Sequence, residues 1–320
     1  MQTPRRIVKS LLRDQRPPYP LLIPLVFTLA AKVAHVAVPV FLASPTKQAN
    51  ALSAVHRHLH TDGVVASFDL TLVAEALGCT LNWRTVPPAI VGRPPRDVPI
   101  TSLLPHGIEH QGRIPAALDV VRRLQVMLRD EPALLVAMAG PARLGQQLTG
   151  EGFVQRLAAH EDRALAMLDD LAAVLLDLAQ AFCRAGADIL LLIEPAISSA
   201  TVDRWRAVLT AVWNVVRFHE ALPVLLYADG LAPPIALDEA PLVCLTPEVL
   251  RASAASCERF GLVLPANMAL PADVGQWTGS ERCVLVLTAD EVPYHTDIQN
   301  LDRMVAMMRS ALEHHSRRTA

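Results

Sequence analysis

Eight short apolar runs, spaced along the chain and separated by stretches with helical periodicity, are the feature that most narrows the possible folds. They are Leu21–Phe27, Gly63–Asp69, Leu134–Gly140, Ala187–Glu194, Leu222–Asp229, Pro241–Thr246, Gly261–Asn267 and Cys283–Asp290. Continuous apolar runs of this length read as strands buried on both faces, which parallel sheets require. Helices are expected between them over Pro45–His60, Ile114–Arg129, 151–184, 201–220, 247–259 and Asp297–His315. Eight strands alternating with helices favour a closed barrel over an open doubly wound sheet, which has fewer strands and a glycine-rich phosphate turn after the first. No G-x-G-x-x-G or Walker sequence occurs.

The expected fold is therefore α/β, a single (β/α)8 TIM-type barrel over residues 1–320. A polar amino-terminal arm is expected over 1–20 and a long loop over 80–112, where Pro and Gly are frequent and periodicity is weak. The crossover between 268 and 282 is too short for a full helix and is broken by Pro271, Gly275 and Gly279, so an abbreviated turn is expected there. With 320 residues, 52% of them hydrophobic, the chain can fill one large core.

A formal charge of −2 provides no general attraction for nucleic acid or an anionic membrane, and the basic residues Arg5, Arg6 and Lys9 read as part of a solvated tail. The apolar stretch 21–43 is interrupted by Pro24, Lys32, His35 and Pro39, which argues against a membrane span. Five scattered cysteines without a Cys-x-x-Cys pair indicate reduced thiols and a cytoplasmic protein.

In a (β/α)8 barrel, chemistry sits at the carboxyl ends of the strands. Five runs finish there on a polar residue: Asp69, Glu194, Asp229, Asn267 and Asp290. Tyr227 lies two residues before Asp229 and shares its strand face. Glu194 and Asn267 also read as groups that satisfy backbone at the rim, and Glu75 as a pin for the turn before Gly78.

Several phrases, in order and at predicted strand ends, resemble the uroporphyrinogen decarboxylase superfamily, which includes the zinc methyltransferases that serve corrinoid proteins. They are D-G-V-V-A-S-F-D-L-T-L-V-A-E-A-L-G over 62–78, A-G-P-A-R-L-G-Q-Q-L over 139–148, A-G-A-D-I-L-L-L-I-E-P-A-I-S over 185–198 and E-V-P-Y-H-T-D-I-Q-N over 291–300. The resemblance implies a barrel, with Asp69 matching an acid that meets pyrrole N–H groups in the decarboxylases. In the methyltransferase branch a His-x-Cys step and a later Cys hold zinc. The matching positions here are Tyr227, Asp229 and Asp290, an oxygen-only set that argues against zinc and, for any metal, suits Mg2+, Ca2+ or Mn2+. The arginines that pair with substrate carboxylates in the decarboxylases are absent, with only Lys32 in their segment.

Three readings follow. Cofactor-independent acid/base decarboxylation of a carboxylated, tetrapyrrole-related molecule is favoured, with Asp69, Tyr227, Asp229, Asp290 and His295 as catalytic residues. Lys32, Arg113, Glu194, Ser198 and Asn267 are its substrate-binding set, and no residue is assigned to metal. The second reading is a methyltransferase working with a corrinoid protein through an altered site, and the third a barrel that binds a ligand or partner without catalysis. A homodimer is implied by resemblance only.

Overall fold

The computed structural model describes residues 2–95, 100–104, 106–129, 131–195, 197, 202–228, 242–253, 258–268, 274–278 and 280–316. Eight strands form one parallel sheet: β1 (Leu21–Leu22), β2 (Gly63–Ser67), β3 (Ala133–Ala139), β4 (Ile189–Glu194), β5 (Leu222–Tyr227), β6 (Leu242–Leu245), β7 (Phe260–Leu264) and β8 (Cys283–Thr288). Their order is β1-β8-β7-β6-β5-β4-β3-β2, which brings the last strand against the first. The strand residues are almost all buried because the sheet is covered outside by helices and filled inside by its own Val, Leu and Ile side chains. The sheet is nearly closed as a barrel, as the eight runs predict.

Its seam lies between β1 and β2. There Asp62 N–H donates to Leu22 O at 3.0 Å, and the Asp62 carboxylate accepts Leu22 N–H at 2.8 Å. Gly63 allows this close approach, since a Cβ would stand 2.6 Å from the Ile23 side chain and 2.8 Å from Ala133 O. Strand β1 is shorter than the apolar run Leu21–Phe27. Ile23 N–H still reaches Val286 O at 2.9 Å, but Pro24 has no N–H and ends the ladder.

Local signals fix most of the helices. Ser44 caps the helix Pro45–Leu59, and His60 closes it in the left-handed region at φ 50°. Asp162–Ala185 ends at Gly186, φ 110°, as helices commonly do. The abbreviated crossover is present as the five-residue helix Val274–Thr278.

Two regions differ from the sequence reading. The amino-terminal arm holds a helix, Pro4–Leu11, because Pro4 starts it and Ile7, Val8 and Leu11 form a buried stripe. Arg5 is an ion-pair partner of Asp188 at 2.7 Å, with its side chain 11% exposed, and so is no solvated tail residue. Within 80–112 the chain forms a hairpin, Thr80–Asn82 with Ala89–Gly92, and two short 3-10 turns, Ile100–Leu103 and Ile108–His110.

Candidate active site at the carboxyl ends of the strands

The corner after β8 is tied to the segment after β1 by a series of hydrogen bonds. Thr288, fully buried, accepts Leu25 N–H at 3.0 Å and donates to Asp290 O at 2.7 Å. Val292 N–H donates to Leu25 O at 2.8 Å, and Lys32 Nζ holds His295 O and Thr296 O at 3.0 and 3.2 Å. These ties turn the Glu291 carboxylate toward the start of the helix Thr28–Val33, where it accepts Thr28 N–H. Loss of water pushes Glu291 up to about 7; the Thr28 bonds oppose this, and the charges of Asp290 and Asp69 add to it. Glu291 therefore stands within electrostatic reach of Asp69, although the two are 222 residues apart in sequence (291 − 69).

Asp69 follows β2. One of its oxygens accepts Thr71 N–H at 3.0 Å and the Thr71 hydroxyl at 2.7 Å, and the other accepts Arg113 Nη1. Arg113 Nε donates to Glu75 at 2.7 Å, and its guanidinium lies 4.8 Å from the Trp83 ring centre, a cation–π distance. Trp83 comes from the hairpin region and Arg113 from the start of the helix Ile114–Leu128, so this cluster joins three separate segments. Arg113 Nη2 is buried and has no hydrogen-bond partner among the described residues.

A second group lies over β3, β4 and β5. Glu194 is fully buried and accepts Ala142 N–H at 3.1 Å, Arg143 N–H at 2.9 Å and Trp205 Nε1–H at 2.6 Å. Its carboxylate thus caps the helix Pro141–Thr149, whose own N-cap, Gly140, has no side chain to do so. A Cβ on Gly140 would lie 2.3 Å from Glu194 Cδ. Burial raises Glu194 to about 7 in spite of its three donors. Tyr227 pairs in register with Glu194 and is 3% exposed. Its hydroxyl has no partner among the described residues, and burial with the nearby Glu194 charge pushes its pKa far above the usual phenol value.

The remaining sequence candidates are spread along the rim. Asp290 is exposed and accepts the N–H of Glu291 at 2.7 Å. His295 is exposed and contributes its backbone carbonyl to Lys32, while Asn267 is exposed in the turn after β7. Lys32 meets two backbone carbonyls. Asp229 and Ser198 lie outside the described residues. Glu291, Glu75 and Trp83 were not among the site candidates. The sequence signals for Glu291 were an acid directly following a strand-end acid and its place at the head of the phrase over 291–300.

The zinc of the methyltransferase branch can be tested against these donors. Tyr227 and Asp290 offer only oxygen where that branch uses nitrogen and sulfur, and one Asp290 oxygen already accepts the Glu291 N–H. Among the described residues, no three His, Cys, Asp or Glu side chains converge as a metal site. The described residues do not fit zinc.

A nearly closed parallel eight-stranded barrel with ionisable groups gathered at its carboxyl rim defines an α/β-barrel enzyme-like fold. The chain belongs to the uroporphyrinogen decarboxylase (URO-D) family, whose model matches residues 3–231. It is 27% identical over 158 residues to methylcobamide:CoM methyltransferase MtbA of Methanosarcina mazei, a match covering 49% of this chain and 47% of that protein. It is 26% identical over 141 residues to methylcobamide:CoM methyltransferase MtaA of Methanosarcina barkeri, covering 43% and 41%. The matches thus span less than half the length of these curated relatives. A solved methyltransferase from Methanosarcina mazei superposes with a TM-score of 0.79 at 18% identity, over 97% of this chain and 99% of that one, a likeness of fold.

Proposed function

We propose that this protein transfers a methyl group between a corrinoid carrier and a small acceptor at the carboxyl rim of its barrel. The observation that carries this reading is the similarity to methylcobamide:CoM methyltransferases over 158 residues. It favours the methyltransferase reading over decarboxylation. A corrinoid-bearing protein is the proposed partner, and the acceptor is a small molecule held in the mouth.

The site's groups supply positioning and proton handling. Asp69, fixed by Thr71 and Arg113, presents a carboxylate whose direction is set before substrate arrives, the condition under which electrostatic stabilisation is strongest. Glu291 holds or releases a proton near neutral pH. Tyr227 offers a neutral O–H donor. Glu194 holds the Pro141–Thr149 helix at the rim and acts through structure.

The test is loss of the methyl–cobalt absorbance of methylcobalamin on incubation with the purified protein and thiol, amine and phenol acceptors. Turnover with at least one acceptor class, lowered about 100-fold or more in Asp69→Asn, is expected. No demethylation with any acceptor would overturn the reading. A decarboxylase remains supported by one observation, the raised Glu291, which could protonate a carbanion. Release of CO2 from carboxylated pyrroles without any methyl transfer would establish it instead.

A further inference from the structure

The face of the barrel at the amino ends of the strands, opposite the rim described above, holds an open pocket of about 430 Å3. Small-molecule sites fall in the range of about 300–1,000 Å3. The pocket is lined by Arg5, Arg6 and Lys9 of the helix Pro4–Leu11, by Asp188 just before β4, and by His219 and Glu220 just before β5. Its inner wall is fixed and its charges there are paired: Arg5 donates to Asp188 at 2.7 Å and to the carbonyls of Arg129 and Gly186, both at 3.3 Å, and Asp188 accepts Leu134 N–H at 2.9 Å. The outer side differs. Because Ile7, Val8 and Leu11 form the buried stripe of the helix, Arg6, Lys9 and, a turn further on, Arg13 are exposed. Arg6 has no ion-pair or hydrogen-bond partner among the described residues. The acid facing this basic side is Glu220, 2.9 Å from Lys9 and within electrostatic reach of Arg13. Both members of the Lys9–Glu220 pair are exposed, so the pair contributes little and leaves Lys9 open to a stronger anion. Three cations against one carboxylate leave a local excess of two positive charges, the complement of a phosphate dianion.

Two further observations lie at the same place. His219 Nε2 is shielded from water and has no hydrogen-bond partner among the described residues. The two most exposed large apolar side chains among those residues, Phe218 at 83% and Val126 at 79%, each adjoin a lining residue, His219 and Gln125. The Phe218 ring stands edge-on to the His219 ring at 5.2 Å, at the lip of the pocket. We infer that this pocket binds a small phosphate monoester with an apolar body, its phosphate held between Arg6 and Lys9 and its body against Phe218. Guanidinium and ammonium groups give phosphate oxygens charge-assisted hydrogen bonds, stronger than those between neutral groups. The site lies on the opposite face from Asp69 and Glu291, so it is independent of the methyl-transfer reading.

Calorimetric titration of the full chain at fixed ionic strength tests this, with phenyl phosphate, inorganic phosphate and benzyl alcohol as probes. Phenyl phosphate is expected to bind one to one and at least about tenfold more tightly than either of the others. Arg6→Gln and Lys9→Gln, both at exposed positions, are each expected to weaken it about fivefold or more, and Phe218→Ser to remove its advantage over inorganic phosphate. Arg303→Gln, an equal loss of charge at an exposed position on the helix Ile298–Ser316, is expected to leave it unchanged. Binding of benzyl alcohol or inorganic phosphate to the wild-type protein as tightly as the ester overturns the inference, whether or not any variant folds. An affinity that survives both Arg6→Gln and Lys9→Gln overturns it as well, since the ester would then sit elsewhere on the molecule. Failure of methyl transfer in the methylcobalamin experiment leaves this result untouched.

Discussion

Two carboxylates illustrate how far a residue's chemistry departs from its type. Glu194 and Glu291 both keep their protons to about pH 7 when folded, against an ordinary value of 4.5. Between those values the folded chain binds more protons than the unfolded one, so each group's contribution to stability is fully present below the unfolded pKa and falls as pH rises toward 7. The stability of wild type relative to Glu291→Gln is expected to decline by about 1–3 kcal/mol from pH 4.5 to pH 7.5. Urea denaturation at both pH values measures it, and a constant difference would contradict the raised value. Gly140 makes the complementary case, because only the absence of a Cβ lets Glu194 reach the helix start. Gly140→Ala is expected to destabilise by about 1–3 kcal/mol through overcrowding, read from the same denaturation curves.

At the scale of elements, the barrel depends on two joins made by side chains. One is the β1–β2 seam, where Asp62 supplies both a backbone donor and a carboxylate acceptor to Leu22. Asp62→Ala leaves Leu22 N–H without that acceptor and is expected to cost about 1–3 kcal/mol, with faster hydrogen exchange at the Leu22 amide. The other is the Thr288 hydroxyl, which ties the end of β8 to the segment after β1 and so sets the direction of Glu291. Thr288→Val is expected to lower methyl transfer by a larger factor than its loss of stability explains. Unchanged turnover in a folded variant would separate the strap from the site.

For the whole molecule, the rim is assembled from segments at both ends of the chain, with Thr28 and Glu291 separated by 263 residues. Its described donor set does not suit zinc, so purified protein is expected to contain zinc far below one equivalent and to keep its activity after chelation. Elemental analysis and the methylcobalamin assay check this, and a one-to-one zinc content would contradict it. No helix among the described residues is long and apolar enough to cross a membrane.

The eight strands, most of the helices and the short 268–282 crossover were legible in the sequence, since apolar run length, helical spacing, Pro, Gly and capping residues act over a few neighbouring positions. Asp69 and Glu194 were visible as strand-end acids for the same reason. What each acid does was not visible. Asp69 depends on Arg113 44 residues away, Glu194 on a helix start 51 and 52 residues before it, and Glu291 on Thr28 across the β8–β1 pairing. Hydrogen-bond partners, burial and the balance of charge are properties of the closed barrel. Local sequence fixed which groups reach the rim, and the tertiary structure decided which are neutralised and which remain to meet a ligand.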